Sequence, residues 1–239
     1  MEYGHWVEEQ NRQISQLKTA LNSHVIDMQL HILVDSCMNH YFDLFRLKAN
    51  AAKVDVLYVV SGMWRTPAER FFLWMGGFRP SEVLKVLMPH FVLLTDQQLL
   101  DICNLKQSCQ QSEDALSQGM EKLQKTLSDA VAAGQLCEGN FIPHVTMAMD
   151  NLEALVNFMN QADHLRQETL QQMSHILTVR QAAGGLLALG EYFQRLRALS
   201  SLWTNRPQEP ELSCNRKIPI PNLRENHQHY SSICMGTKS

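Results

Sequence analysis

Thiols and imidazoles are the side chains of this 239-residue chain best suited to chemistry, and their spacing argues against most of it. Cys103 and Cys109 lie six residues apart in a stretch of helical period. Six residues of α-helix give about 9 Å of rise and about 240° of rotation, which sets the two Cα atoms roughly 10 Å apart. A disulfide needs Cα atoms within about 7 Å. Closing this pair would therefore require an unwound helix, or oxidation would have to run through mixed or intermolecular disulfides. The plainer reading is two small, partly buried apolar side chains. The six cysteines are irregularly spaced and form no Cys-x-x-Cys, unlike a secreted disulfide framework or a zinc module, so a reducing compartment fits best. The ten histidines include no His-x-x-x-His; the nearest helical pair, His24 and His31, is seven residues and about 10 Å apart. No metal site is expected from that spacing. Nucleophilic catalysis has no signal either: there is no Gly-x-Ser-x-Gly elbow, phosphate loop or Rossmann glycine pattern. Gly184-Gly185 lies in an apolar helical run, where close packing is expected. Glu69, Glu153 and Glu191 have no sequence-local partner for acid–base work. The reading is non-enzymatic, with no cofactor.

The most informative residues are structural in type. In Ser61–Ser81, Thr66, Pro67 and Glu69 spell a helix start: a hydroxyl N-cap, Pro at the first helical position and a carboxylate at N3 that completes a capping box. Gly76 and Gly77 offer a stop. Between them Phe71, Phe72, Leu73, Trp74 and Met75 predict a short helix apolar almost all round, and such a helix belongs inside a larger helical body. Arg65, Glu69, Arg70 and Arg79 sit among these rings, where an unpaired charge is costly, so carboxylate–guanidinium pairs should orient the segment. Trp64, Phe72, Trp74 and the two glycines are expected to hold the fold. Arg65, Arg70 and Arg79 are the candidates for a partner-facing role.

Long helices must position this segment. Ile14, Leu17, Leu21, Val25, Met28 and Ile32 alternate three and four apart, and the pattern runs on denser through Tyr41, Phe42, Phe45 and Leu47. Thr95, with Gln98 at N3, should cap a second long helix with a stripe from Ile102 through Cys109, Met120 and Leu127, ending at Gly134. A loop with Gly139 and Pro143 precedes a third, carrying Met149, Leu152, Val156, Met159, Leu170, Met173 and Leu177. A fourth runs from about Ala182 to Trp203. The methionines Met120, Met147, Met149, Met159 and Met173 suit an ordinary core, or less readily an apolar ligand pocket. The expected fold is all-α: one domain of long antiparallel helices, residues 1–207, with a short buried aromatic helix near its middle. Four of the eight prolines fall in the last 33 residues beside Asn, Gln, Ser and Glu, a composition that predicts a disordered tail over 208–239. No apolar run approaches the roughly 18 residues of a membrane span, and the N-terminus is no secretory signal. A net charge of −3 lacks the basic footprint of a nucleic-acid binder.

The pattern Trp64-Arg65-Thr66, Ala68-Glu69-Arg70, Phe72-Leu73-Trp74 and Gly76-Gly77-Phe78-Arg79-Pro80-Ser81 resembles the plant delay-of-germination-type domain. More narrowly, it is similar to the C-terminal domain of TGA-class bZIP transcription factors. Tyr3–Arg12, Leu94–Asp101, Cys103–Cys109 and Leu187–Arg195 extend the likeness from about Glu2 to Pro207. The resemblance implies a nuclear regulatory and co-activator-docking domain that controls transcription of defence and stress genes. It implies NPR-type ankyrin-repeat co-activators as partners, plant glutaredoxins as redox partners, and redox-sensitive positions at Cys103 and Cys109. Other cysteines that some members carry are replaced here, at Ser15 and Ala130. A bZIP protein reads DNA with a basic helix continuous with a zipper, and Arg12, Lys18, Arg46, Lys48 and Lys53 are too dispersed to form one. DNA binding would thus need a bZIP region this chain lacks, in a full-length factor that forms homo- or heterodimers. The alternative from another class is an all-α sensor domain that binds an apolar small molecule or haem.

Overall fold

The computed structural model describes residues 3–91, 93–132 and 141–206. Seven α-helices and one short 3-10 turn make up the described chain: α1 (Tyr3–Asn22), α2 (Asp27–Val60), α3 (Pro67–Phe71), α4 (Pro80–Leu87), the turn Met88–His90, α5 (Asp96–Ala132), α6 (Phe141–Ile176) and α7 (Val179–Thr204). Among the described residues the fold is all-α; the one ladder-like pairing is an isolated bridge between Trp74 and Gly77. The stop expected at Gly134, the loop residue Gly139 and the tail over 208–239 lie outside the described residues. Pro143, expected in a loop, stands in the first turn of α6, where its missing N–H would have no intrahelical acceptor in any case.

The first apolar stripe is not one helix. The chain reverses at Ser23–Ile26, with His24 in the left-handed region at φ 51°, so that α1 and α2 pack as an antiparallel hairpin. Met28 and Ile32, in phase with α1, are exposed on α2. The buried face of α2 is instead Leu30, Val34, Cys37, Met38 and Tyr41. His24 and His31 consequently do not share a helix face. Farther along, α2 kinks at Asp55, whose backbone is non-helical; the Asp55 carboxylate accepts the Tyr58 N–H at 2.8 Å and restarts the helix.

Local start signals hold. Thr95 and Gln98 bond reciprocally at the head of α5, at 3.1 and 3.2 Å. An equivalent box that the sequence reading missed, Thr178 with Gln181, opens α7. Of the two adjacent glycines in α7, Gly185 is the close-packed one: a Cβ there would stand 2.8 Å from the Phe91 ring, whereas Gly184 faces open space. Gly190 lets α1 approach, since a Cβ would meet Ile14 at 2.0 Å.

Two apolar clusters fill the body. The larger joins α1, the first half of α2, α4, α7 and the end of α6; Trp64 and Phe78 belong to it. The smaller gathers Ala52, Val56 and Val59 of α2, Met120 and Leu123 of α5, and Leu155, Met159 and Ala162 of α6 around Met75. Of the methionines expected in the core, Met120, Met159 and Met173 are buried, whereas Met147 and Met149 are exposed; the cavity that Met173 lines with Met38, beside Leu87 and Leu189, is about 20 Å³, room for roughly one water. The Trp64–Ser81 segment contributes buried side chains to both clusters, Trp64 and Phe78 to the larger and Met75 to the smaller.

Candidate functional site

The segment Trp64–Ser81 is short of regular structure and rich in anchors. Its helix, α3, spans five residues and closes at Phe72. The chain then turns back on itself: Met75 and Gly76 have φ of 44° and 68°, and Trp74 and Gly77 exchange both backbone hydrogen bonds, at 2.8 and 3.0 Å. Consecutive left-handed residues are the backbone of a tight hairpin turn. Gly76 and Gly77 therefore do not cap α3; they belong to this turn. The expectation of a buried aromatic helix is corrected in the same way. Phe71 and Phe72 are 83% and 53% exposed and meet edge to face, with centroids 5.0 Å apart. The inward rings are Trp64 and Phe78, because helical phase ends at Phe72 and cannot carry the next residues inward.

Three buried ionic centres pin the segment. At the first, the fully buried Glu69 carboxylate accepts from the Tyr3 hydroxyl at 2.6 Å, and from the Thr66 N–H at 3.1 Å and the Thr66 hydroxyl at 2.7 Å. These Thr66–Glu69 contacts form the expected capping box. Arg197 of α7 donates to it at 3.4 Å, and Arg65 stands 3.9 Å away. Burial pushes the Glu69 carboxyl up, but hydrogen bonds from Tyr3 and Thr66 and the Arg65 charge outweigh it, so its pKa lies below the ordinary value. Trp64 lies edge-on to Tyr3 at 4.7 Å and donates its indole N–H to the Val59 carbonyl at 3.0 Å.

At the second centre, Glu113 of α5 accepts the Arg79 Nε–H at 2.6 Å and both the backbone N–H and the hydroxyl of Ser81, at 2.7 and 2.6 Å. Pro80 supplies the first residue of α4, so this carboxylate sits at the head of that helix. Arg79 also reaches Asp114 at 3.2 Å.

The third centre had no counterpart in the sequence reading. Lys48 of α2 and Arg166 of α6 are fully buried and share one carboxylate, Asp163. Lys48 Nζ lies 2.6 and 2.9 Å from its two oxygens, and Arg166 Nη1 lies 2.5 Å from one of them. The rest of the Arg166 guanidinium collects the segment's backbone: Nε donates to the Phe78 carbonyl at 2.6 Å, and Nη2 to those of Met75, at 3.1 Å, and Trp74. Gly77 is glycine because this guanidinium lies against it; a Cβ would stand 2.7 Å from Arg166 Cζ. Burial pushes the Lys48 ammonium down to about 7, against the pull of Asp163 and with the push of Arg166. A signal was present: Lys48 follows Tyr41 and Phe45 and precedes Ala52 on the core face of α2, and Arg166 stands in line with Met159, Ala162 and Met173.

Along one side of the segment runs a groove of about 420 Å³, walled by Phe71, Phe72, Trp74, Phe78, Tyr192 and Phe193, with Arg65 and Arg79 among its lining. Trp74 is half-buried and donates its indole N–H to Ser117 at 3.1 Å. The three arginines separate. Arg65 is turned in, its side chain 5% exposed, over the ring of Trp64 at 4.3 Å; it is not itself a surface handle. Arg79 is partly open to solvent at the groove. Arg70, half-buried, contacts the Met63 sulfur.

The thiols also separate. Both lie on the unbroken α5, Cys103 exposed and Cys109 buried, with Cys109 Sγ 3.2 Å from the Thr169 hydroxyl. Burial pushes the Cys109 thiol up, away from the reactive thiolate. Among the described residues no three His, Cys, Asp or Glu side chains converge as a metal site. His40 is structural: its ring stacks on Trp6 with centroids 4.7 Å apart, and each ring bonds the other residue's carbonyl, at 2.8 and 2.9 Å. Thr66→Ala should cost about 1 kcal/mol, the usual cost of losing an N-cap. Denaturant melts of Thr66→Ala, Glu69→Gln and the double variant should give non-additive losses; additive ones would exclude a reciprocal box.

A family model described as "DOG1: Seed dormancy control" matches residues 13–89, which contain this segment. The chain is 73% identical over 210 residues to the transcription factor TGA1 of Arabidopsis thaliana, covering 88% of this chain and 57% of that protein. It is 67% identical over 211 residues to the TGACG-sequence-specific DNA-binding protein TGA-1A of Nicotiana tabacum, covering 88% and 59%. To the transcription factor TGA2.2 of Oryza sativa it is 56% identical over 215 residues, covering 87% and 65%. The chain thus spans less than two thirds of the length of these relatives, and all three are named as DNA-binding proteins or transcription factors rather than enzymes. Carrying the matched family segment inside a helical body similar throughout to these factors, the chain belongs to the TGA class, as a delay-of-germination-type domain of that class.

Proposed function

We propose that this domain is the regulatory, co-activator-docking module of a nuclear TGA-class factor that controls defence and stress genes. DNA would be read only through a bZIP region, in a homo- or heterodimeric full-length factor. The observation that carries this reading is the exposed Phe71–Phe72 pair, held on a segment anchored by three buried ionic centres. Large rings presented by a rigid support, with an arginine nearby, are the composition of interface hot spots. The family likeness supplies the partner class: NPR-type ankyrin-repeat co-activators. A glutaredoxin would act at Cys103, the described surface thiol, through a mixed disulfide, since an intact α5 keeps Cys109 out of reach. Replacing both rings, Phe71→Ser with Phe72→Ser, should weaken co-activator binding more than tenfold, about 1.4 kcal/mol, at an unchanged melting temperature. Calorimetric titration with the purified co-activator checks it. Unchanged affinity would move the docking surface elsewhere.

A further inference from the structure

We propose that the groove beside Phe71 and Phe72 recognises an acidic segment of its protein partner: a Glu or Asp carboxylate set beside an aromatic or large aliphatic side chain. This rests on the docking reading and names the chemistry that the docked segment must carry. The first support is a shortage of anions. At the centre that borders the groove, Arg65 and Arg197 share the single carboxylate of Glu69, so two guanidinium charges face one negative charge.

The second support is a donor without an acceptor. Arg65 lines the groove, its side chain is 95% withdrawn from solvent, and its Nε–H has no hydrogen-bond partner. Its closest anion, Glu69, is 3.9 Å away, beyond hydrogen-bond range. The guanidinium rests instead over the rings of Trp64 and Tyr3. An unsatisfied buried donor on a charged group is costly; a carboxylate entering the groove would supply the missing charge and, on a small turn of the Arg65 side chain, the missing acceptor. Arg79, on the same wall, already holds Glu113 and Asp114. It adds no such vacancy, which places the recognition at Arg65.

The third support concerns the kind of ligand. Phe71 and Phe72 line the groove yet are 83% and 53% exposed, so a small acid seated inside would leave much of these rings in water. A polypeptide that lays its own apolar side chain across them, while its carboxylate enters, covers both features. Of the two acids in the lining, Glu69 is held by its arginines and Glu82 is faced by Lys85 at 3.6 Å.

The test uses defined probes on the whole chain. An acetylated, amidated Glu-Phe-Glu-Leu peptide, its Gln-Phe-Gln-Leu isostere and free benzoate are titrated to several millimolar. Tyrosine and tryptophan emission and the Arg65 Nε–H NMR signal are the readouts. The expected result is saturable binding of the Glu peptide that shifts the Arg65 signal, with the Gln peptide at least tenfold weaker. The Phe71→Ser, Phe72→Ser double variant, which keeps Arg65, should also weaken the Glu peptide at least tenfold. Equal binding of the Glu and Gln peptides, an Arg65 signal that does not move, or benzoate binding as tightly as the peptide would each overturn the proposal. Equal peptide binding together with lost co-activator affinity in the double variant would discard acid recognition and keep docking. An unchanged co-activator affinity would discard docking itself.

Discussion

Asp163→Asn should destabilise the domain by about 3–5 kcal/mol, while Lys48→Met, a few ångströms away, should leave it as stable or more so. The asymmetry follows from counting charges. Asp163 is the single carboxylate between Lys48 and Arg166, both fully buried. Removing it leaves the buried Arg166 cation without a counter-charge and the Lys48 amine without its acceptor in an apolar joint, and the loss is a large share of a domain's total of roughly 5–15 kcal/mol. Removing Lys48 instead leaves Arg166 and Asp163 as a neutral pair, and a methionine there fills similar volume between Phe45 and Ala52. Equilibrium denaturation of the two variants checks the order. Similar losses from both would mean that Lys48 is a needed partner of Asp163 rather than a surplus charge.

The same centre sets a pH dependence. Lys48 falls from its ordinary 10.5 to about 7 in the folded chain, chiefly through burial. Between those values the unfolded chain holds a proton that the folded chain does not, so stability rises with pH, by at most about 1.4 kcal/mol per unit. A neutral amine still donates to both Asp163 oxygens, so the hydrogen bonds survive the loss of charge. From about pH 9 an opposite effect begins: burial holds the Cys37 thiol up near 12 from 9.0, and above 10 the Tyr3 phenol, likewise raised by burial to about 12, adds to it. In these ranges the folded chain keeps protons that the unfolded chain loses, and stability falls with pH. The wild type should therefore climb from pH 7 to 9, level off and then decline. Lys48→Met should abolish the climb and keep the decline.

What was legible in the sequence was local. The boxes Thr66–Glu69 and Thr95–Gln98 and the long helices are read from spacings of three and four residues, and the structure contains them. Where an apolar stripe runs through a reversal, period alone fails: Met28 and Ile32 fit the phase of α1 but lie on α2, facing outward. The stretch Phe71–Met75 fails for a related reason, because five apolar residues in a row have no phase and the turn at Met75–Gly76 decides which face inward. The third centre joins Lys48 to Asp163 across 115 positions, and no local spacing encodes that contact. Its trace was a charge in a core column, which a sequence reader assigns to solvent by default. Arg65 shows the same limit: residue type makes it a candidate to face a partner, and only the structure shows its side chain turned in over Trp64.

Glu69→Gln is the second large effect, and it separates the fold's dependence on this residue from the cap it completes. As a cap partner alone, Glu69 would be worth about 1 kcal/mol. It is also the lone carboxylate facing Arg65 and Arg197, and the acceptor for the Tyr3 hydroxyl. Glutamine keeps the volume but removes the charge and turns one acceptor into a donor. The two guanidinium groups, with side chains 5% and 14% exposed, would then repel each other across a neutral amide. The expected cost is about 3–5 kcal/mol, the range for stripping a buried ionic group of its counter-charge. Because α1, α3 and α7 meet at this carboxylate, the loss should appear as global unfolding at lower denaturant rather than as fraying of α3. A double-mutant cycle with Tyr3→Phe should show coupling above about 0.5 kcal/mol. The wild-type contribution should vanish only in acid: the folded pKa lies below its ordinary 4.5, so stability from this group is complete above that value and is lost as pH falls through the folded one. If Glu69→Gln costs no more than Thr66→Ala, the arginines are compensated by other groups, and Glu69 serves the helix start alone.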